Sequence, residues 1–202
     1  MSEYHPYVFD EKKRRFVGRF EEMYQAETEK GFDSWCQDDV RHIERHICLD
    51  ILGRYNFNRI LDVGCGKGAF TQFLKKQNNH VLGIDISETA LRVAMARYPD
   101  IEFRQVDVKS DDWVETISWG DLVVCLETLS YIENWRGLLQ TFAKIAKYTL
   151  IALFVPENPI GFVKSFSELR EAFLRHYDIL EDIRLVNRNK IILFGKSKVY
   201  SE

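Results

Sequence analysis

The stretch Ile60-Leu61-Asp62-Val63-Gly64-Cys65-Gly66-Lys67-Gly68-Ala69-Phe70 constrains the rest of the chain more than any other. Apolar and β-branched residues run into an acid and then into glycines at alternate positions, the pattern of a buried strand ending in a tight loop that opens a helix. Lacking a Cβ, glycine allows the turn and lets the backbone lie against a flat ligand. The runs 80–85 and 101–107 repeat the theme at near-equal intervals, closing on Asp85 and Asp107. Three successive strands thus carry a carboxylate to their C-terminal ends, where open α/β sheets bind ligands.

With LDVGCGKG at 61–68, GIDIS at 83–87, QVDV at 105–108 and DLVVCLETLSYI at 121–132, the chain resembles the class I S-adenosylmethionine-dependent methyltransferases. The resemblance implies an α/β, Rossmann-like, seven-stranded, mostly parallel sheet of order 3-2-1-4-5-7-6 with strand 7 antiparallel, helices on both faces and an N-terminal helical cap. It implies S-adenosyl-L-methionine as cofactor and S-adenosyl-L-homocysteine as product. Gly64, Gly66 and Gly68 would lie beside the methionine and ribose, Asp62 near the amino group, Asp85 on the ribose hydroxyls, and Asp107 with Val108 around the adenine. Cys65, Ile86, Leu126 and Trp35 complete the expected cofactor-binding set. The implied reaction is in-line transfer of a methyl group to N or O of a small-molecule acceptor.

A chain of 202 residues, 46% hydrophobic, suits one compact domain, with residues 1–57 as cap and 58–202 as core. A net charge of −3 argues against nucleic acid or an anionic membrane as partner. The N-terminus lacks an apolar signal core, and no run of about 18 apolar residues occurs, so a cytoplasmic protein is expected, as monomer or homodimer. Cys36, Cys48, Cys65 and Cys125 are scattered without a C-x-x-C pair, which suggests reduced thiols, neither a zinc site nor a disulfide framework.

Within the cap, Phe16, Phe20, Met23 and Tyr24 recur at helical spacing, Gly31 interrupts, and Val40, Ile43, Ile47, Ile51 and Leu52 form a second run. Tyr24 and Trp35 either anchor the cap by burying large rings or pack on the ligand, where a sulfonium beside an aromatic face gains about 0.5–2 kcal/mol. His42 and His46 have a spacing that can hold zinc, but no third ligand is evident and no metal is expected. Residues 11–15 read as a solvated helix surface, with an acidic substrate as the alternative partner. Further on, a helix is expected over 70–77, Ser87 and Ser165 as N-caps, a helix from 135 to 146, and a closing hairpin of 178–186 and 190–195.

Gly64-x-Gly66-x-x-Ala69 also satisfies the dinucleotide pattern, so an NAD-binding Rossmann oxidoreductase is the enzymatic rival. A non-catalytic cofactor-binding module is the other. The acid at 62, the third glycine at 68 and the C-terminal hairpin favour the methyltransferase reading. A nucleophile with a proton to lose needs an acceptor for it, and Glu127, just past the fourth strand, and Tyr131 beyond it are the candidate catalytic residues. The segment Cys125-Leu126-Glu127-Thr128 lacks the Asn/Asp-Pro-Pro-aromatic signature of nucleobase amino methyltransferases, which points to a small metabolite.

Overall fold

The computed structural model describes residues 5–37, 39, 42–110, 113–115, 117 and 120–200. Short paired strands β1 (Phe9–Asp10) and β2 (Arg15–Phe16) are followed by helices α1 (Phe20–Lys30) and α2 (Ile43–Gly53). Then come β3 (Arg59–Val63), α3 (Thr71–Leu74), β4 (His80–Asp85), α4 (Glu88–Arg97), β5 (Glu102–Gln105) and β6 (Leu122–Leu126). The last elements are α5 (Trp135–Ile145), β7 (Tyr148–Phe154), α6 (Phe166–Leu174), β8 (Tyr177–Leu185) and β9 (Lys190–Ser197). The main sheet has seven strands in the order β5-β4-β3-β6-β7-β9-β8. Counted from β3 this is the expected 3-2-1-4-5-7-6, with β9 antiparallel to both neighbours and the other pairings parallel.

Side chains of period two sort the core into two layers. Leu61, Val63, Leu82, Ile84, Val123, Cys125, Ile151 and Leu153 face α5 and α6, where Trp135, Leu139, Phe142 and Phe173 meet them. Ile60, Val81, Leu122, Val124, Leu150 and Ala152 face the opposite layer of Ile51 and Leu52 on α2, Leu74 on α3 and Leu91 on α4. Each fully buried Leu, Ile or Phe contributes about 1.5–3 kcal/mol. This two-sided burial holds the strand tips in a fixed row and makes them a platform for a site.

Helix ends show how local chemistry sets the boundaries. Ser87 Oγ accepts from Ala90 N at 3.1 Å and caps α4 as expected. Ser165 Oγ accepts from Glu168 N at 3.1 Å, but the Glu168 carboxylate accepts from Lys164 N at 2.7 Å, one residue short of the reciprocal bond of a capping box. The helix expected over 70–77 is a single turn: Asn79 donates to Leu74 O at 2.8 Å and accepts from Lys76 N at 2.7 Å, which ends it.

The cap departs further from its pattern. Phe16 belongs to the β1–β2 hairpin, because Gly18 at φ +69° turns the chain before α1 begins. Residues 11–14 therefore form a hairpin tip and Arg15 begins β2, in place of a helix surface, and Arg14 donates to the Asn158 carbonyl at 3.0 Å. On α2 the buried stripe is Glu44, Cys48, Ile51 and Leu52, while Ile43 is exposed. The expected stripe is rotated, and Val40 lies outside the described residues. A carboxylate thus occupies a position that spacing reserves for an apolar side chain.

Candidate active site

A cavity of about 340 Å³ crosses the C-terminal tips of the parallel strands and runs to the start of β9. It lies over the switch point between β3 and β6, where the chain reverses its direction of growth across the sheet. One end rests on β3, β4 and β5, with Asp62, Gly64, Cys65, Asp85, Ile86, Asp107 and Val108 in its wall. Leu126, at the tip of β6, lines its middle.

The loop after β3 curls back on β4, with Gly64 N and Cys65 N both donating to Ile84 O. Gly64 has φ +74°, and a Cβ there would lie 2.1 Å from Thr128 Oγ1, so any larger residue would collide with the segment after β6. Gly66 N donates to Asp85 Oδ2 at 2.9 Å, and Ser87 N donates to Oδ1 at 2.9 Å. Two amides thus aim the Asp85 carboxylate while leaving lone pairs for a diol. Burial raises its pKa, and those amide bonds work against the rise. Asp62 is 3% exposed, accepts from Thr71 Oγ1 at 2.6 Å, and is pushed up to about 7 by burial and, less, by the Asp85 charge.

Gly68 is turned elsewhere. A Cβ there would meet Phe103 at 2.8 Å and Tyr98 at 3.1 Å, so this glycine serves the close packing of the loop on β5 and α4, and it is absent from the cavity wall. Gly66 is roofed by the cap: a Cβ would fall 2.7 Å from Tyr24 Oη and 2.8 Å from Gln37 Oε1. Gln37 bridges the two parts, donating to Tyr24 Oη at 2.8 Å and accepting from Lys67 N at 3.1 Å. The Lys67 ammonium, buried, reaches Glu27 at 3.1 Å and Asp33 at 2.9 Å. Glu21 accepts from Ser87 Oγ at 2.6 Å and Thr89 Oγ1 at 2.5 Å, fastening α1 to the start of α4. Burial opposes ionisation of Glu21, yet these bonds outweigh it and hold its pKa low.

At the other end, over β6, β7 and β9, rings form the wall. Trp35 stacks on Tyr131 with centroids 6.2 Å apart, and Phe9, Phe16 and Phe20 pack around Tyr131. Tyr24 meets Trp35 edge-on at 6.0 Å. Tyr24 and Trp35 therefore anchor the cap and line the cavity at once. The Tyr131 phenol is raised by burial and by the Glu127 charge, which keeps its proton in place.

Glu127 sits at φ +56°, a left-handed backbone that costs a non-glycine residue about 1–3 kcal/mol. Its N–H donates to Ala152 O at 2.7 Å, its Oε2 accepts from Phe154 N at 2.8 Å, and its Oε1 meets Lys190 Nζ at 2.7 Å. With both oxygens engaged and a cation alongside, this carboxylate anchors Lys190. Lys190 also reaches Glu44 Oε1 at 2.5 Å, and His42 Nδ1 lies 3.3 Å from that same oxygen. Spacing reasoning passed over Gln37, Glu44, Thr128 and Lys190; the visible signal was an acid at a stripe position of α2. Among the described residues no group of three His, Cys, Asp or Glu side chains could hold a metal ion, and no helix is long and apolar enough to cross a membrane.

Residues 60–148 match the sequence family described as a methyltransferase domain. A ubiquinone biosynthesis O-methyltransferase of Paracidovorax citrulli is 32% identical over 104 residues, covering 49% of this chain and 43% of that protein. A trans-aconitate 2-methyltransferase of Acidovorax sp. strain JS42 is 31% identical over 102 residues, covering 49% and 38%. The match thus spans less than half the length of these curated relatives. Among solved structures, magnesium protoporphyrin IX methyltransferase from Synechocystis PCC 6803, with bound S-adenosylmethionine, superposes with a TM-score of 0.62 at 19% identity, covering 82% of this chain and 85% of that one.

Proposed function

We propose that the chain, whose residues 60–148 match a methyltransferase domain, is a class I S-adenosylmethionine-dependent methyltransferase that moves a methyl group from S-adenosyl-L-methionine to an oxygen or nitrogen of a small-molecule acceptor. The charge distribution along the glycine loop carries the reading. Asp62, Asp85 and Asp107 line the β3–β5 end, with Lys109 beside them in the wall, and the loop's own Lys67 is bound to Glu27 and Asp33. A pyrophosphate would meet carboxylates there, whereas a phosphate-free nucleoside carrying an amine and a sulfonium would meet opposite charge. That chemistry favours the methyl donor over a nicotinamide dinucleotide.

Within this reading Asp85, aimed by Gly66 N, accepts from the ribose hydroxyls, Asp62 faces the amino group, Gly64 and Cys65 follow the methionine portion, and Ile86, Asp107, Val108 and Leu126 surround the base. When bound, the cofactor supplies an electrophilic methyl group, whose carbon–sulfur bond breaks with its electron pair remaining on sulfur. The residues of the chain then have three tasks. Tyr24, Trp35 and Gln37 cover the loop and exclude water. The rings of Phe9, Phe20 and Tyr131 hold an acceptor in line, and such orientation supplies much of the rate of a transfer between fixed partners. Glu127 fixes Lys190 and the segment after β6.

The names of the relatives, O-methyltransferases acting in ubiquinone biosynthesis and on trans-aconitate, support a small metabolite as acceptor. Methyl transfer from labelled donor to a panel of phenols, amines and carboxylic acids tests the reading. Labelled product from at least one class is expected; stabilisation of the fold by NAD alone, with no labelled product, would replace the reading with the dehydrogenase.

A further inference from the structure

We propose that His42 and Glu44 form a proton-accepting dyad at the acceptor end of the cavity, where Nε2 of His42 takes the proton from a hydroxyl carried on an aromatic ring. The proposal deepens the methyl-transfer reading and rests on it.

Two polar atoms carry the argument. Glu44 Oε2 and His42 Nε2 are both buried and, among the described residues, have no hydrogen-bond partner. Both residues line the cavity. A buried polar atom left unpaired costs about 1–3 kcal/mol, and two in one cluster on a cavity wall mark the place where a polar group of a ligand would restore the balance. The Glu44 side chain is only 6% exposed, yet it stands in the apolar stripe of α2. Lys190 accounts for Oε1 of this acid and leaves Oε2 open.

The arrangement also decides the direction of proton flow. Nδ1 faces Glu44 Oε1 at 3.3 Å, which favours the tautomer with the ring hydrogen on Nδ1 and an open lone pair on Nε2. Burial opposes ionisation of Glu44, but the bond from Lys190 and the charges of Lys190 and His42 overcome it, so the carboxylate is present to receive an imidazolium. The charged and titratable groups packed against the pair are engaged or hold their protons, and His5, also on the cavity wall, accepts from Tyr7 N through Nδ1 at 3.4 Å. Glu127 has both oxygens engaged, and Lys190 is shared between the two acids. Arg45 is turned to the carbonyls of Gln37 and Asp39. The thiol of Cys48, one turn along α2, is pushed up to about 12 by burial and stays protonated.

An acceptor bearing a carboxylate at this end would face Glu44 and Glu127, which disfavours it. A neutral ring with a hydroxyl suits both the aromatic wall and the open lone pair. In the reaction, the hydroxyl oxygen bonds to the methyl carbon, its proton passes to Nε2, and the imidazolium returns that proton to solvent. His42 is then the catalytic base and Glu44 its positioning residue.

The test uses 4-nitrophenol, a ring with one hydroxyl whose ionised form is coloured, titrated into the full chain saturated with S-adenosyl-L-homocysteine. The wild type should bind the probe and shift its ionisation at least tenfold toward the phenolate. His42→Gln should lose that shift, Glu44→Gln should lose part of it, and His46→Gln, on the exposed side of α2, should match the wild type. Calorimetry of S-adenosyl-L-homocysteine on each variant should give unchanged affinity, which establishes that the fold and cofactor end are intact. Should His42→Gln lose that affinity, His42→Asn replaces it in the same titration. A probe that fails to bind the wild type, or ionises equally in the His42 variant, overturns the dyad and leaves the methyl-transfer reading standing. A wild type that does not bind S-adenosyl-L-homocysteine overturns both.

Discussion

Replacing Asp62 by Asn should make the ligand-free protein more stable at neutral and alkaline pH, and the structure sets the size of the effect. Asp62 is buried at the tip of β3 and pushed up to about 7 by desolvation and by the charge of Asp85. In the unfolded chain its carboxyl ionises near about 3.9. Between about 4 and about 7 the folded protein holds a proton that the unfolded chain has released, so stability falls as pH rises through that window, and the loss is complete above it. About three pH units at about 1.36 kcal/mol each give at most about 4 kcal/mol. Asn cannot ionise, yet its carbonyl can still accept from Thr71, which donates to Asp62 at 2.6 Å. Urea unfolding of both proteins at pH 4, 6 and 8 should give curves that nearly coincide at the lowest pH and separate progressively above it, the Asp62→Asn protein being the more stable. Parallel pH profiles would refute the assignment of a buried, proton-holding carboxyl. The same substitution should weaken S-adenosyl-L-homocysteine binding at pH 8, because an amino group beside residue 62 then loses its counter-charge.

Asp85→Ala should weaken S-adenosyl-L-homocysteine binding about ten- to a hundredfold by calorimetry, the worth of about 1.5–3 kcal/mol for a charge-assisted hydrogen bond. Gly64→Ala should lower the unfolding free energy by about 2 kcal/mol or more, since its Cβ meets Thr128 at 2.1 Å and its φ is +74°. Adding Thr128→Ala should relieve only part of the loss, because the Cβ of residue 128 stays 2.8 Å away and the left-handed backbone still costs about 1–2 kcal/mol. Lys67→Met should cost about 3–5 kcal/mol in urea unfolding by removing the cation beside the buried Glu27 carboxylate, and Glu27→Gln in the same chain should restore part of it.

The sheet was legible because its strands are bounded by glycines, acids and caps whose local preferences agree with the packing they enter. Ile60 to Val63 and Leu122 to Leu126 alternate between two buried layers, and nothing else in the chain competes for those positions. The cap was less legible. Phe16, Phe20, Met23 and Tyr24 have helical spacing, but Gly18 turns the backbone between the first two, and tertiary contacts with Phe9 and Tyr131 use Phe16 from a strand. On α2 Ile47, Ile51 and Leu52 of the expected stripe do meet the core, but Ile43 faces solvent, because Glu44 is buried by partners far away in sequence, Lys190 above all. Asp85 could be placed from the loop rhythm alone. Gly68 could not: its neighbours Phe103 and Tyr98 are brought to it only by the fold.

Titration of the intact chain with S-adenosyl-L-homocysteine and, separately, with NAD tests most directly whether the acidic hollow beside the glycine loop is built for a phosphate-free nucleoside carrying an amine. Saturable binding of S-adenosyl-L-homocysteine at one site, weakened by Asp85→Ala, with no heat from NAD, is the predicted result. Binding of NAD with none of S-adenosyl-L-homocysteine would contradict it.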